Sequence, residues 1–193
     1  MKKPPYAEWE HIMLDTSIIF SYIQASRGSN TDLKCVFVKR LIDDLNSKKN
    51  TKNKKRNFYV SAITISEMYD KSIDVKKTEQ IISKMNVSEM TYVPFDTDIA
   101  EYMTSNYHSV LGTKKLNTIA KELSWSENNL VLAREWISKD LMILATADYL
   151  KCDTVITLDV NTFLPMANKL DFFCCHAIKE NFNANDKYIF EYY

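Results

Sequence analysis

Short apolar runs alternate along this chain with longer stretches in which apolar residues recur every three or four positions. The short runs predict buried strands, at residues 12–14, 58–60, 92–95, 154–158 and 172–175, with a sixth candidate at 188–190. The longer stretches predict amphipathic helices. Strands separated by helices favour right-handed crossovers and a mainly parallel sheet with helices on both faces. We therefore predict an α/β fold, a single three-layer α/β/α domain over residues 1–193 with about five strands.

Local signals locate several ends of these elements. Asn30 or Thr31 is predicted to cap a helix. The inward face of that helix is predicted to hold Leu33, Val36, Phe37, Leu41 and Leu45. A later helix is predicted to begin near Thr64. Pro94 cannot donate a ladder hydrogen bond, which predicts an edge position or a strand end for the third strand.

Helical patterns also cover residues 75–85 and most of residues 97–150, with a break near Gly112.

Composition narrows the range of functions. Lys and Arg together number 25, as do Asp and Glu, so binding of nucleic acid must depend on a local patch. Two glycines are too few for a Walker phosphate loop or a dinucleotide-binding fingerprint. The 4 cysteines and 3 histidines lack zinc-site spacing, and the cysteines predict small buried residues in a reducing cytoplasm. No run approaches the roughly 20 apolar residues of a membrane span, so we expect a cytoplasmic protein without membrane contact.

Three acidic residues follow predicted strands, and a fourth lies in a helix that leads into one. Asp15 directly follows the first strand, Glu67 lies just past the second, and Asp159 follows the fourth. Asp140 lies in the helix before the fourth strand. Ligands of open parallel sheets bind outside the carboxyl ends of the strands. The topology is therefore expected to bring these acids into one crevice.

Each of these acids also has a purely structural explanation. Glu67 stands three residues after Thr64, an arrangement that makes a capping box. Asp15 and Asp159 could cap the helices that follow their strands. Asp140 could be a first-turn acid of a helix that starts just before it.

Burial separates these explanations. If the helix is continuous from about residue 130, Asp140 has only apolar helical neighbours, namely Trp136, Ile137, Ile143 and Leu144. Asp15 lies between the apolar runs 12–14 and 18–20. A buried carboxylate is costly unless a cation or a metal compensates it, and residues 12–20 contain no Lys or Arg. Several carboxylates in one crevice therefore indicate a divalent ion, and hard oxygen ligands suit Mg²⁺ or Mn²⁺.

These motifs resemble those of the PIN-domain nucleases. The matching segments are LDTS after the first strand, SEMY after the second, KDLMILATA before the fourth and TLD after it. YVPFD at 92–96 fits the family's succession of strand, acid and helix. The resemblance covers roughly residues 11–176, and the subgroup that it resembles most is the VapC-type toxins of bacterial toxin–antitoxin pairs. The span from Asp96 to Asp140 is longer than in compact toxins of this kind, which implies a helical elaboration around residues 108–130.

The resemblance implies an endoribonuclease that depends on Mg²⁺ or Mn²⁺ and hydrolyses RNA phosphodiester bonds. A cognate antitoxin and a second copy of the chain are candidate partners. The implied catalytic and metal-binding residues are Asp15, Glu67, Asp140 and Asp159. The implied polar accessory positions are Thr16, Ser17, Thr157 and Asn161, the last of which stands where many members carry a fifth acid. Two other functions stay open: a PIN nuclease of RNA processing or decay without an antitoxin, and a catalytically inactive binding module.

A basic run is the second candidate feature. It lies in the polar loop at residues 48–56 and consists of Lys48, Lys49, Lys52, Lys54, Lys55 and Arg56. These side chains could contact RNA phosphates, although a solvated, mobile loop is the favoured explanation. Because the loop precedes the second strand, it is expected at the amino ends of the strands, opposite the crevice.

Aromatic residues mostly occupy strand positions or inward helical positions, which predicts core packing rather than base stacking. Tyr69 and Tyr107 are the two exceptions, whose side chains could be exposed. The C-terminal residues 188–193 alternate like a strand and could pair with a sheet edge or serve a dimer.

Overall fold

The computed structural model describes residues 5–26, 32–71, 90–172 and 174–176. Within these residues one all-parallel sheet contains β1 (His11–Leu14), β2 (Asn57–Ser61), β3 (Met90–Val93), β4 (Thr154–Thr157) and β5 (Cys174–His176). The strand order is β3-β2-β1-β4-β5. The described helices are α1 (Thr16–Ser26), α2 (Leu33–Ser47), α3 (Ala62–Lys71), α4 (Thr97–Asn106), α5 (Thr113–Glu122), α6 (Leu130–Tyr149) and α7 (Phe163–Lys169).

Alternation along the central strand explains the layers. Ile12 and Leu14 of β1 belong to a buried cluster with α1 and α2, whereas Met13 belongs to a second cluster with α4, α5, α6 and α7. Successive side chains of a strand point to opposite faces, so a strand that is apolar on both faces must be covered on both. The predicted three-layer α/β/α class with a mainly parallel sheet is confirmed.

The position of β1 decides where the site forms. β1 pairs with β2 on one side, Ile12 lying opposite Phe58, and with β4 on the other, Leu14 lying opposite Ile156. The backbone N–H of Asp15 extends the second ladder by donating to the Ile156 carbonyl oxygen at 3.1 Å. The carboxyl ends of β1 and β4 are therefore adjacent, although they are about 140 residues apart in sequence.

Most predicted strands overlap the observed ones. Because β3 is an edge strand that ends just before Pro94, the interpretation of that proline is confirmed. The helix predicted near Thr64 begins at Ala62. The helix predicted at 75–85 and the strand predicted at 188–190 lie outside the described residues.

The start of α2 differs from the prediction. The cap is Asp32, whose side chain accepts from the Lys34 N–H at 2.9 Å, so the predicted cap at Asn30 or Thr31 is wrong. Leu33 is 65% exposed and Val36 is 48% exposed, which corrects their inward assignment. The buried stripe consists of Cys35, Phe37, Val38, Leu41, Ile42 and Leu45. Periodicity indicated an apolar face, but its width depends on what packs against it.

The predicted break near Gly112 is confirmed. Its φ of 100° lies in the region that favours glycine, and α5 begins at the next residue. α5 packs on α6 through its buried Ile119 and Ala120. None of the described helices is both long enough and apolar enough to cross a bilayer.

Candidate functional site

The structure brings the four predicted acids together at the carboxyl end of the sheet. Asp15 lies between β1 and α1, Glu67 lies in α3, Asp140 lies in α6, and Asp159 follows β4. Their proximity shows in their electrostatics, since the charges of Asp15, Asp159 and Glu67 all raise the pKa of Asp140. Acids that are up to 144 positions apart therefore form one cluster, which we call the acidic site.

Asp140 has the most unfavourable surroundings of the four. Burial is the main cause that raises its pKa well above the ordinary range, followed by the charge of Asp15, and a hydrogen bond from Thr162 opposes the shift. Its Oδ2 atom is buried and has no hydrogen-bond partner. An orphaned buried carboxylate oxygen loses its hydration without compensation, so a bound cation would be strongly favoured there.

α6 places Asp140 in this position. The helix runs unbroken from Leu130 to Tyr149, so Asp140 is not a first-turn acid, and that alternative is wrong. Ile137 and Ile143 are fully buried neighbours, as the pattern indicated, whereas Trp136 is 48% exposed, which corrects its assignment to the buried face.

Asp15 is buried but well satisfied by hydrogen bonds. Its Oδ2 accepts from the Ser17 hydroxyl at 2.6 Å and from the Thr157 hydroxyl at 2.8 Å. Burial raises the pKa of Asp15, these hydrogen bonds oppose that shift, and the charge of Glu67 adds to it. The Ser17 N–H also lies 3.3 Å from Oδ2, so Asp15 caps α1 as well as belonging to the acidic site.

Ser17 and Thr157 link the ends of β1 and β4. The Ser17 hydroxyl also accepts from the Leu158 N–H at 2.9 Å, and the Thr157 hydroxyl accepts from the Asp159 N–H at 2.9 Å. Both hydroxyls therefore fix the backbone after β4 while they orient Asp15. This is the positioning function expected of polar residues beside a metal site.

Both carboxylate oxygens of Asp159 accept hydrogen bonds from the turn that follows it. Its Oδ1 accepts from the N–H groups of Asn161 and Thr162 at 2.7 and 2.9 Å, and its Oδ2 accepts from the Thr162 hydroxyl at 2.5 Å. These hydrogen bonds close the turn that precedes α7, whose N-cap is Thr162, so the interpretation of Asp159 as the helix cap is wrong. The side chain of Asn161 is exposed beside this turn.

Glu67 is directed toward α1 instead of toward its own helix. Its Oε2 accepts a short hydrogen bond from the Thr16 hydroxyl. Thr64 is already the third residue of α3 and therefore does not cap it. The residue before the helix is Ser61, whose hydroxyl accepts from the Ile63 N–H at 3.2 Å. The capping-box alternative for Glu67 is therefore wrong.

The chemistry of this donor set fits a hard divalent ion. All four side chains are carboxylates, and in the described part of the chain none of them forms an ion pair with Lys, Arg or His. The described residues do not, however, contain three or more His, Cys, Asp or Glu side chains already arranged around a metal position. The hydrogen bonds of Asp159 and Glu67 explain this, since both acids hold their oxygens toward neighbouring hydroxyls.

The basic loop lies far from the acidic site. The Lys54 ammonium pairs with Glu10 just before β1, at 2.9 Å from Oε2, and the Thr51 N–H donates to the Ala7 carbonyl oxygen at 2.8 Å. These contacts hold the loop at the amino ends of the strands, as predicted. Lys48, Lys49, Lys52, Lys54 and Lys55 are exposed.

Arg56 does not belong to the exposed basic set. It is 6% exposed, its guanidinium donates to the carbonyl oxygens of Leu45 and Lys48, and it lies over the Tyr6 ring. The RNA contact predicted for Arg56 is corrected accordingly, because its donors serve the end of α2.

Replacing Arg56 should test that structural function. We expect Arg56→Ala to lower the free energy of unfolding by about 2 kcal/mol, because it leaves buried carbonyl oxygens without their donor. Urea unfolding followed by circular dichroism measures this. Lys52→Ala, in the same loop but exposed, should change stability by less than about 0.5 kcal/mol. Equal effects of the two substitutions would contradict the assignment.

Similarity to known proteins is found in the fold of this chain and not in its sequence as a whole. No protein-family model matches the chain, and no curated protein matches it in sequence. By structure, 24 solved chains match. One belongs to the crystal structure of VapBC2 from Rickettsia felis bound to a DNA fragment from their promoter, with a TM-score of 0.50 and 16% sequence identity over 86% of this chain and 98% of that chain. The protein is thus similar in its PIN-like α/β/α fold to a chain of the VapBC2 complex.

Proposed function

We propose that this protein is a Mg²⁺- or Mn²⁺-dependent endoribonuclease and the toxin of a toxin–antitoxin pair. The observation that carries the proposal is the buried, orphaned Oδ2 atom of Asp140 among three further carboxylates without a cationic partner in the described residues. In the absence of a compensating ion this arrangement only destabilises the fold, so it points to binding of a divalent ion.

The side chains divide into two groups. Asp140 and Asp15 are the residues that would hold the ion first, because both carboxylates are buried and the charge of Glu67 raises the pKa of each. Asp159 and Glu67 would complete the site by turning an oxygen away from Thr162 and Thr16. A bound divalent ion would supply an activated water and would offset the charge that builds up on the phosphate.

Proton transfer is the second requirement of the reaction. Glu67 is the acid that could take a proton from the attacking water, because it faces the cluster from α3 and its hydrogen-bond partner is a hydroxyl. Thr157 and Ser17 would keep Asp15 oriented throughout.

Removal of the Ser17 hydroxyl should expose its positioning function. We expect Ser17→Ala to lower metal-dependent RNA cleavage by about 10- to 100-fold, because Asp15 loses a hydrogen bond and the Leu158 N–H loses its acceptor. Cleavage rates at saturating Mn²⁺ measure this. Ser26→Ala is the control, since that hydroxyl donates to the Tyr22 carbonyl oxygen at the far end of α1. Rates that fall equally in both variants would contradict the function given to Ser17.

RNA cleavage tests the enzymatic part of the proposal directly. The purified chain is incubated with total cellular RNA in Mn²⁺ or in EDTA, and the new ends are mapped. We expect cleavage in Mn²⁺ alone, at discrete positions. Intact RNA under both conditions would reject the nuclease.

Two similarities support the toxin function. The sequence resembles the VapC-type toxins, and the fold is similar to a chain of the VapBC2 complex. A neighbouring open reading frame for a small DNA-binding protein, and growth arrest that this protein relieves, are the expected results. Growth unaffected by expression would favour a nuclease of ordinary RNA processing or decay.

One observation favours a second function. Both oxygens of Asp159 accept hydrogen bonds within its own turn, and no described set of three side chains is arranged around a metal position. This arrangement also suits an inactive binding module of the same fold. Titration calorimetry with Mn²⁺ distinguishes the two, since the module would show no binding.

A further inference from the structure

A groove of about 600 Å³ opens beside the acidic site. Its lining includes Asp159, Asn161 and Ser17, which belong to the acidic site or adjoin it, together with Trp125 and Trp136. Lys34, from the first turn of α2, also lines it. The groove is therefore continuous with the site at which the proposed hydrolysis would take place.

Trp136 is the dominant feature of this groove. Its side chain is 48% exposed, whereas Trp9 is fully buried. It contacts Trp125 edge to face, with ring centroids 5.4 Å apart and planes at 83°. That contact fixes the orientation of an indole of which about half is accessible to solvent. Because Trp136 precedes Asp140 by four residues in α6, the two side chains lie on one face of the helix, about 6 Å apart along its axis.

Two of the other residues that line the groove offer groups that a nucleotide uses. The exposed Asn161 amide carries both a donor and an acceptor for a base edge. The exposed Lys34 ammonium offers a positive charge to a phosphate. An oriented, exposed indole presents a π-face, on which any base can stack. A purely apolar partner would offer no hydrogen-bond or charge partner to the amide and the ammonium.

We propose that this groove binds one unpaired nucleobase of an RNA strand, stacked on Trp136 beside the bond to be cleaved. The inference rests on the proposed function, whose substrate it specifies: RNA with an unpaired base next to the cleavage position. Trp136 acts here as a binding residue, and Trp125 positions it. Double-stranded RNA is excluded from the groove because its bases remain stacked within the helix.

The experiment measures binding without cleavage. A labelled oligoadenylate of about eight nucleotides, a length within the site sizes of stacking surfaces, is titrated in EDTA, and its fluorescence anisotropy gives the dissociation constant. Trp136→Leu keeps the apolar volume but removes the ring, and it should weaken binding about tenfold. Trp136→Phe keeps a π-face and should bind within about threefold of the wild type.

Two controls identify the base as the bound group. Tyr149→Leu removes another exposed aromatic side chain, 40% exposed at the far end of α6, and should leave the affinity unchanged. An abasic strand with the same phosphates should bind the wild type and Trp136→Leu equally. If Trp136→Leu binds oligoadenylate as tightly as the wild type, or weakens the abasic strand by the same factor, the proposal is overturned.

Tryptophan fluorescence gives a second measurement, which does not depend on the folding of Trp136→Leu. Oligoadenylate should quench the wild type, and part of that quenching should disappear in Trp136→Phe, because the buried Trp9 cannot contact a base and Trp125 is then the one tryptophan left in the groove. Undiminished quenching in Trp136→Phe would overturn the proposal. Failure of the proposed function is recognised separately, as absence of cleavage in Mn²⁺ by a wild-type protein that still binds RNA through Trp136.

Discussion

Asp140→Asn should reduce Mn²⁺-dependent RNA cleavage by about 10³-fold or more, the largest effect that we expect from a single substitution. The physical reason is the environment of this carboxylate. Its Oδ2 atom is buried, has no hydrogen-bond partner and faces the charges of Asp15, Asp159 and Glu67. A neutral amide of the same shape offers the ion one weak oxygen ligand and no charge. Single-turnover cleavage of a defined RNA at saturating protein measures the chemical step.

Asp70→Asn is the matched control for this substitution. Asp70 lies one turn after Glu67 in α3, is 64% exposed and pairs with Lys139 at 3.4 Å. The control removes the same charge a short distance from the acidic site, and cleavage should stay within about twofold, because an exposed ion pair contributes little. Cleavage by Asp140→Asn at the wild-type rate would refute the assignment of the acidic site. If Asp70→Asn lowered the cleavage rate tenfold or more, the effect of Asp140→Asn would be explained by general surface charge.

Without metal, Asp140→Asn should stabilise the protein at pH 8, raising Tm by about 3–8 °C, because it removes a buried charge that like charges surround. The pH dependence is set by the direction of the pKa shifts. The folded-state pKa values of Asp140 and Asp15 lie above their ordinary values, so the folded state binds protons that the unfolded state has already released. Stability of the wild type in EDTA should therefore rise as the pH falls from 8 toward 5.

Thermal unfolding in EDTA and in Mn²⁺ checks these expectations. The variant should show a smaller rise with falling pH, since one of its two raised carboxyl groups is gone. Mn²⁺ should raise the Tm of the wild type and change that of the variant much less, because an ion that binds only the folded state stabilises it. Asp70→Asn should behave like the wild type in both respects. A variant less stable than the wild type at pH 8 in EDTA would mean that the Asp140 charge is already compensated.

The sequence alone was sufficient for the architecture and for three of the four acids. Short apolar runs that alternate with helical stretches indicate strands whose two faces are both packed against helices. The residues that directly follow parallel strands all lie at the same edge of the sheet. Asp15 and Asp159 directly follow strands, and Glu67 lies in the first turns after one. These positions result from chain connectivity and need no knowledge of packing.

Asp140 required a further inference from the sequence. Its apolar helical neighbours indicated burial, and the unbroken α6 confirmed it, but one of those neighbours, Trp136, is exposed in the groove. Helical periodicity identifies which side chains share a face, whereas the boundary of the buried face depends on the elements that cover it. For the same reason Leu33 and Val36 were assigned to the core although α2 turns them to solvent.

By itself the sequence determined the parallel three-layer fold and the convergence of acidic side chains, because both depend on local periodicity and on the order of elements. Only the tertiary structure decided which polar groups are satisfied. Asp159 accepts hydrogen bonds in the turn before α7, Glu67 accepts from the Thr16 hydroxyl, Arg56 donates to the end of α2, and Asp140 Oδ2 has no partner. The hydrogen bond of Glu67 joins residues 51 positions apart, and its geometry is fixed only when α1 and α3 pack, as is the burial that leaves Asp140 Oδ2 without a partner.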